Sequence, residues 1–138
     1  MRVVVIGASR LGMATVEEML EAGHEVVVID KDPAVIEELD DKFDCSFYCG
    51  DGAKPRVLED VDPGSTDLLL CLADDDTSNV LAAVVATSMD FNRLVLRLDD
   101  PDLESICKQL GLENVIIPDR RVAGELLSFA EGDEECPE

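Results

Sequence analysis

Arg2-Val3-Val4-Val5-Ile6-Gly7-Ala8-Ser9-Arg10-Leu11-Gly12 decides how the rest of the chain reads. Residues 2–6 are an almost continuous apolar run dominated by β-branched side chains, as in a strand buried on both faces. A glycine-containing turn follows. From Leu11 the apolar residues Met13, Val16 and Leu20 recur on one helical face, while Glu17, Glu18 and Glu21 fall elsewhere. Between a strand and a helix, Gly7-Ala8-Ser9-Arg10-Leu11-Gly12 has a physical meaning. Gly7 permits the tight turn, and Gly12 lets the helix pack close to the sheet. The helix start offers free N–H groups and a favourable dipole to a pyrophosphate. Ser9 stands where the usual pattern has its middle glycine. Its Cβ pushes a ligand outward, and its hydroxyl is expected to compensate by donating to a phosphate oxygen.

Working outward, Val26-Val27-Val28-Ile29 is a second buried strand closed by Asp30, and Gly23 caps the helix before it. At that strand end a carboxylate accepts hydrogen bonds from adenosine ribose hydroxyls. Its charge repels a 2′-phosphate, so NADP is disfavoured against NAD(H). ATP, ADP and AMP carry the same free hydroxyls and stay open as ligands. Pro33 suits the first turn of a helix running to about Asp41. A strand is expected over 45–49, a turn over Gly50-Asp51-Gly52-Ala53 and a short helix over 54–60. Further strands are expected at 68–72, 94–98 and 115–117, with helices over 75–89 and from Pro101 to Gly111. Pro118 ends the last strand, and a final helix covers about 120–130. Strand and helix thus alternate six times along the chain. That order predicts an α/β, Rossmann-like, doubly wound parallel six-stranded sheet in the order 3-2-1-4-5-6, with helices on both faces. Residues 1–130 read as one nucleotide-binding domain. Residues 131–138 hold five carboxylates and read as an acidic, disordered tail.

Composition narrows the function. Eleven Lys and Arg stand against 32 Asp and Glu in 138 residues, a net charge of −21. A nucleic-acid backbone and an anionic membrane surface are both disfavoured as partners. Acidity at this level also fits a cytoplasm of concentrated potassium chloride. No apolar run approaches the about 18–20 residues of a membrane helix, so direct insertion is not expected. Five cysteines without C-x-x-C spacing point to reduced thiols in a cytoplasm rather than to disulfides or zinc. Catalytic machinery is sparse. His24, the one histidine, precedes the second strand, at the end of the sheet away from the expected ligand. Asp74, Asp75 and Asp76 read as a helix start, and Ser65 and Ser78 lack a base. A non-enzymatic role follows as the expectation.

Further strings make the reading more specific. Cys49-Gly50-Asp51-Gly52-Ala53-Lys54-Pro55, the segment from Leu72 to Ala83 (LADDDTSNVLAA), Leu96-Arg97, and Gly111 to Pro118 (GLENVIIP) occur in this order. Together they resemble the NAD-binding N domain of Trk-type potassium-uptake regulators, the TrkA-N domain, also called the RCK or KTN N domain. The resemblance covers roughly residues 1–130. It implies that Gly7, Ser9, Arg10, Leu11 and Gly12 hold the phosphates, with Arg10 matching an arginine that many members place near them. It implies that Asp30, with Lys31, holds the adenosine ribose and that Asp51, Gly52 and Ala53 border the adenine. Leu72 and Ala73 would line the far half of a dinucleotide, and Arg97 would approach phosphate or ribose. Some members hold a divalent ion near an acidic residue after the sixth strand, where Asp119 stands; one carboxylate does not make a metal site. The implied function is regulatory nucleotide sensing for a membrane potassium transporter, by a homodimer or higher homo-oligomer at the inner face of the membrane. Two departures bear on this: Ser9, and a chain that ends where the family continues into a second domain. A stand-alone or cut N domain is therefore expected. The alternatives are the front of a larger phosphoesterase-like (DHH) protein, or a degenerate Rossmann module that binds a partner protein.

Overall fold

The structure, a computed structural model, describes residues 1–132. Six apolar runs form the strands β1 (Arg2–Ile6), β2 (Glu25–Asp30), β3 (Ser46–Cys49), β4 (Leu68–Cys71), β5 (Leu94–Arg97) and β6 (Val115–Ile116). Between them lie the helices α1 (Arg10–Glu21), α2 (Pro33–Leu39), α3 (Pro55–Asp60), α4 (Asp76–Thr87) and α5 (Glu104–Gln109), and α6 (Pro118–Ala130) closes the chain. The sheet runs β3-β2-β1-β4-β5-β6, with every neighbouring pair parallel. This is the expected doubly wound Rossmann-like order.

Side-chain alternation divides the core between the two faces of the sheet. Val4, Ile6, Val27, Ile29, Leu69, Cys71 and Leu96 point to one face, where Val57 and Leu58 of α3 and Ala82, Ala83 and Ala86 of α4 cover them. Val3, Val5, Val26, Val28, Leu70 and Leu72 point to the other, against Val16 of α1. Val3, Val4 and Val5 are wholly buried, which is why β1 reads as an unbroken apolar run rather than an alternating one. Each fully buried valine or leucine contributes about 1.5–3 kcal/mol over its exposed state.

Register then places the site. Ile6 pairs with Ile29 on one side and Cys71 on the other, and Asp30 pairs with Cys49. The carboxyl ends of β1, β2, β3 and β4 therefore share one rim. The chain leaves β1 toward β2 and returns beside β1 as β4. That reversal opens the crevice in which such sheets bind ligands.

Most element ends shift by one or two residues from the sequence reading, and three larger differences accompany them. Pro118 does not simply end β6; it is the first residue of α6, where its missing N–H is no loss and its fixed φ favours the helix. The helix expected from Pro101 begins as a 3-10 turn over Pro101–Leu103 and becomes α-helical at Glu104. A further 3-10 turn, Pro63–Ser65, lies between α3 and β4. Helix α6 has no buried residue, and Val122, Leu126, Leu127 and Phe129 on it are more than half exposed. The acidic stretch 133–138 falls outside the described residues. Among the described residues, no helix is long and apolar enough to cross a membrane.

Candidate functional site

The turn between β1 and α1 is drawn tight by backbone and side chains together. Gly7 adopts φ +103°, and a Cβ there would sit 2.6 Å from the backbone of Ala73, so both conformation and space require glycine. Its N–H donates to the Ile29 carbonyl at 2.8 Å. The Ala8 N–H donates to Asp30 Oδ2 at 2.9 Å, and the Asp32 N–H donates to Asp30 Oδ1 at the same distance. Asp30 thus orders two loops before any ligand arrives. Each oxygen keeps a further lone pair for an incoming hydroxyl.

Ser9 does not take the role expected for it. Its Oγ accepts from the Gly12 N–H at 3.0 Å as the N-cap of α1, and donates its proton to the Leu72 carbonyl at 2.5 Å. The hydroxyl is buried inside the crevice and braces β1 against β4, so it has no proton left for a phosphate oxygen. The backbone N–H groups of Ser9, Arg10 and Leu11 have no acceptor among the described residues. A helix start leaves such donors unpaired, and the dipole there favours an anion.

The turn between β4 and α4 is fixed by a residue to which the sequence reading gave no role. Asn79 is buried, with Oδ1 accepting from the Ala73 N–H at 2.8 Å. Its Nδ2 donates to the Ala73 carbonyl at 2.8 Å and to the Arg97 carbonyl at 3.2 Å. The signal was present: Asn79 shares a face of α4 with Ala82, Ala83 and Ala86, a polar residue on an apolar stripe. Asn79→Ala would leave three part-buried backbone groups without this partner. It is expected to lower stability by about 2–4 kcal/mol, read from urea denaturation.

Asp75 caps α4 through the Ser78 N–H and hydroxyl. The hydroxyl first, then the N–H, hold its carboxyl below the usual carboxylate range, with Lys31 adding a weaker pull. Asp76 accepts from the Asp99 and Asp100 N–H groups at 2.7 and 2.9 Å, tying α4 to the loop after β5. The acidic triplet therefore builds a helix start, as the sequence suggested.

These turns surround a cavity of about 350 Å³. Gly7, Ser9, Asp30, Lys31, Asp51, Gly52, Ala53 and Ala73 line it, all named from the sequence as ligand-binding candidates. Arg10, Leu11, Gly12, Leu72 and Arg97 do not. The Arg10 side chain is exposed. Leu11 packs against the apolar core, and Leu72 is part of it. Gly12 is buried under the turn. The Arg97 guanidinium is held by Asp74 at 3.5 Å and Asp99 at 3.0 Å. Among the described residues, no histidine or cysteine lines the cavity. His24 lies at the far end of the sheet, its Nδ1 3.0 Å from the terminal ammonium. Burial pushes the Cys71 thiol up to about 12, and burial with Asp40 and Asp44 pushes Cys45 up to about 11. Both stay protonated and unreactive near neutral pH.

Known proteins resemble this chain in sequence and in fold. The model of the TrkA-N domain matches residues 3–118. A Trk system potassium uptake protein TrkA homolog of Methanothermobacter thermautotrophicus is 26% identical over 126 residues, which cover 91% of this chain and 58% of the relative. The chain spans about half the length of the curated relatives it matches first. Among solved structures, the NAD(P)-binding domain of an exopolyphosphatase-related protein from Archaeoglobus fulgidus superposes with a TM-score of 0.84 at 21% identity, covering 94% of this chain and 97% of that one. The GsuK channel bound to NAD superposes at 0.80 with 14% identity, over 92% of this chain and 23% of that one. GsuK bound to ADP superposes at 0.76 with 12% identity, over 84% and 31%. At these identities the structures share the fold. The family model covers most of the chain, and the chain belongs to the TrkA-N domain family.

Proposed function

We propose that the chain is a regulatory domain that binds NAD(H) in this cavity and passes its occupancy to a membrane potassium transporter. The observation that carries this reading is the turn itself. Three unpaired amides at the start of α1 stand beside a carboxylate at the end of β2. The amides suit a pyrophosphate, and Asp30 suits the adenosine ribose. A 2′-phosphate would meet the Asp30 charge, so NADP is disfavoured. The adenine half lies toward Asp51, Gly52 and Ala53, and the nicotinamide half toward Ala73, with Asp74 and Asp75 beside it. ATP, ADP and AMP fit the adenosine half alone. A binding role is supported by the relatives' description as potassium uptake proteins. The relatives' description as potassium uptake proteins supports the transporter as partner. The exposed apolar side chains of α6 support a homodimer that covers them. The domain then works at the inner face of the membrane without entering it.

Thermal unfolding with saturating NAD, NADH, NADP, ATP, ADP and AMP tests the reading. A ligand at about 100 times its Kd stabilises by about 2.7 kcal/mol, a rise of several degrees in Tm. NAD or NADH is expected to give that rise and NADP to give none. Equal shifts with NADP would remove Asp30 as the ribose group. No shift with any nucleotide would leave a scaffold that binds a partner protein.

A further inference from the structure

Five carboxylates line the cavity, those of Asp30, Asp32, Asp51, Asp74 and Asp75, and Lys31 is the one cation among the lining residues. Asp30, Asp32, Asp51 and Asp75 are engaged by backbone N–H or hydroxyl donors, which orient a carboxylate without cancelling its charge. Asp74 alone pairs with a cation, and that guanidinium is shared with Asp99. The chain as a whole has a net charge of −21. An incoming phosphate therefore meets attraction from the amides of one turn and repulsion from most of the rim.

We infer that this cavity ranks adenine nucleotides by net charge, and that the surrounding salt concentration sets how steep the ranking is. The inference rests on the nucleotide-binding reading above. NAD in its oxidised form carries a cationic nicotinamide ring, which the proposed orientation places beside Asp74 and Asp75. NADH lacks that charge, and ADP and ATP add negative charge without a cation. At low salt the carboxylates act across the whole cavity, because screening reaches about 10 Å at 0.1 M; at 1 M it contracts to about 3 Å. Repulsion between rim and phosphate is thus relieved by salt, while the short amide–phosphate hydrogen bonds are screened less. Affinity for the polyanionic nucleotides rises with salt, the reverse of a site lined by lysine and arginine. The domain responds to ionic strength through the ligand it holds.

Titration calorimetry with NAD, NADH and ADP in about 0.1 M and about 2 M KCl tests this, with circular dichroism reporting the folded fraction at each salt. ADP is expected to bind about tenfold more tightly at the higher salt, NADH to gain less, and oxidised NAD to change by less than about threefold. NaCl should act as KCl does. The double variant Asp51→Asn, Asp75→Asn keeps a side-chain oxygen for each turn and should flatten the ADP dependence. If it does not fold, the native series decides alone. ADP affinity that is flat or falls with salt in folded protein overturns the inference while leaving nucleotide binding intact. A rise confined to KCl overturns it too. Absence of binding by every nucleotide at both salts overturns the nucleotide reading itself.

Discussion

Gly12→Ala is expected to lower the unfolding free energy by about 3 kcal/mol or more and to remove any nucleotide-dependent rise in Tm. A Cβ at Gly12 would overlap the carbonyl oxygen of Gly7 and crowd Ser9 Oγ at 3.2 Å. The obstacle is main chain, which cannot rotate aside as a flexible side chain can. Relief requires α1 to lift from the sheet. That movement would break the Gly12 N–H to Ser9 contact and pull on the Ser9 link to Leu72. The three amides at the helix start would be displaced with it. Gly124 provides the contrast, since a Cβ there meets nothing within 4 Å and the residue lies inside helix α6. Gly124→Ala should stabilise by about 0.5–1 kcal/mol. Urea denaturation of the two variants beside the native chain reads both signs. Equal effects would show that close packing of α1 on the β1 turn does not govern stability.

Asp30→Ala is expected to reduce NAD affinity by about 100-fold, through two losses at once. It removes an acceptor for ribose hydroxyls, each charge-assisted hydrogen bond of this kind contributing about 1.5–3 kcal/mol. It also frees the Ala8 and Asp32 N–H groups and loosens the turn that presents the phosphate donors. Asp30→Asn separates the two. Its amide oxygen can keep the Ala8 N–H, while its NH₂ cannot accept from Asp32 or from a ribose hydroxyl. Calorimetry should place Asn between native and Ala for NAD, with a smaller loss of stability than Ala. Unchanged affinity in both variants would mean that the sugar is gripped elsewhere.

Legibility in the sequence tracked the range of the interactions concerned. The strands were legible because burial on both faces writes itself into consecutive residues, as at Val3, Val4 and Val5. Their order was legible because strand–helix alternation and right-handed crossovers leave few arrangements. Asp30 followed from its position at a strand end, whereas Asp51 and Ala73 were named through the family resemblance, and all three line the cavity. The direction of the Ser9 hydroxyl did not follow, because its acceptor lies 63 residues away, just past the end of β4. Arg97 was expected at phosphate or ribose through the family resemblance. Its guanidinium is paired with Asp74 and Asp99 and does not line the cavity, a side-chain direction that no local pattern records. Asn79 had no role in the sequence reading; its burial is marked only by its apolar neighbours on α4. Pro118 was read as a stop when it was also a start, a proline at N1 and a proline after a strand being identical in sequence.

The bracing of the crevice by Ser9 and Asn79 has a thermodynamic corollary. A receptor whose main chain is already fastened on both banks forfeits little conformational freedom when a guest docks. Its selectivity is then decided by the guest's own shape and electrostatics, and not by the ease with which the protein moulds itself around it.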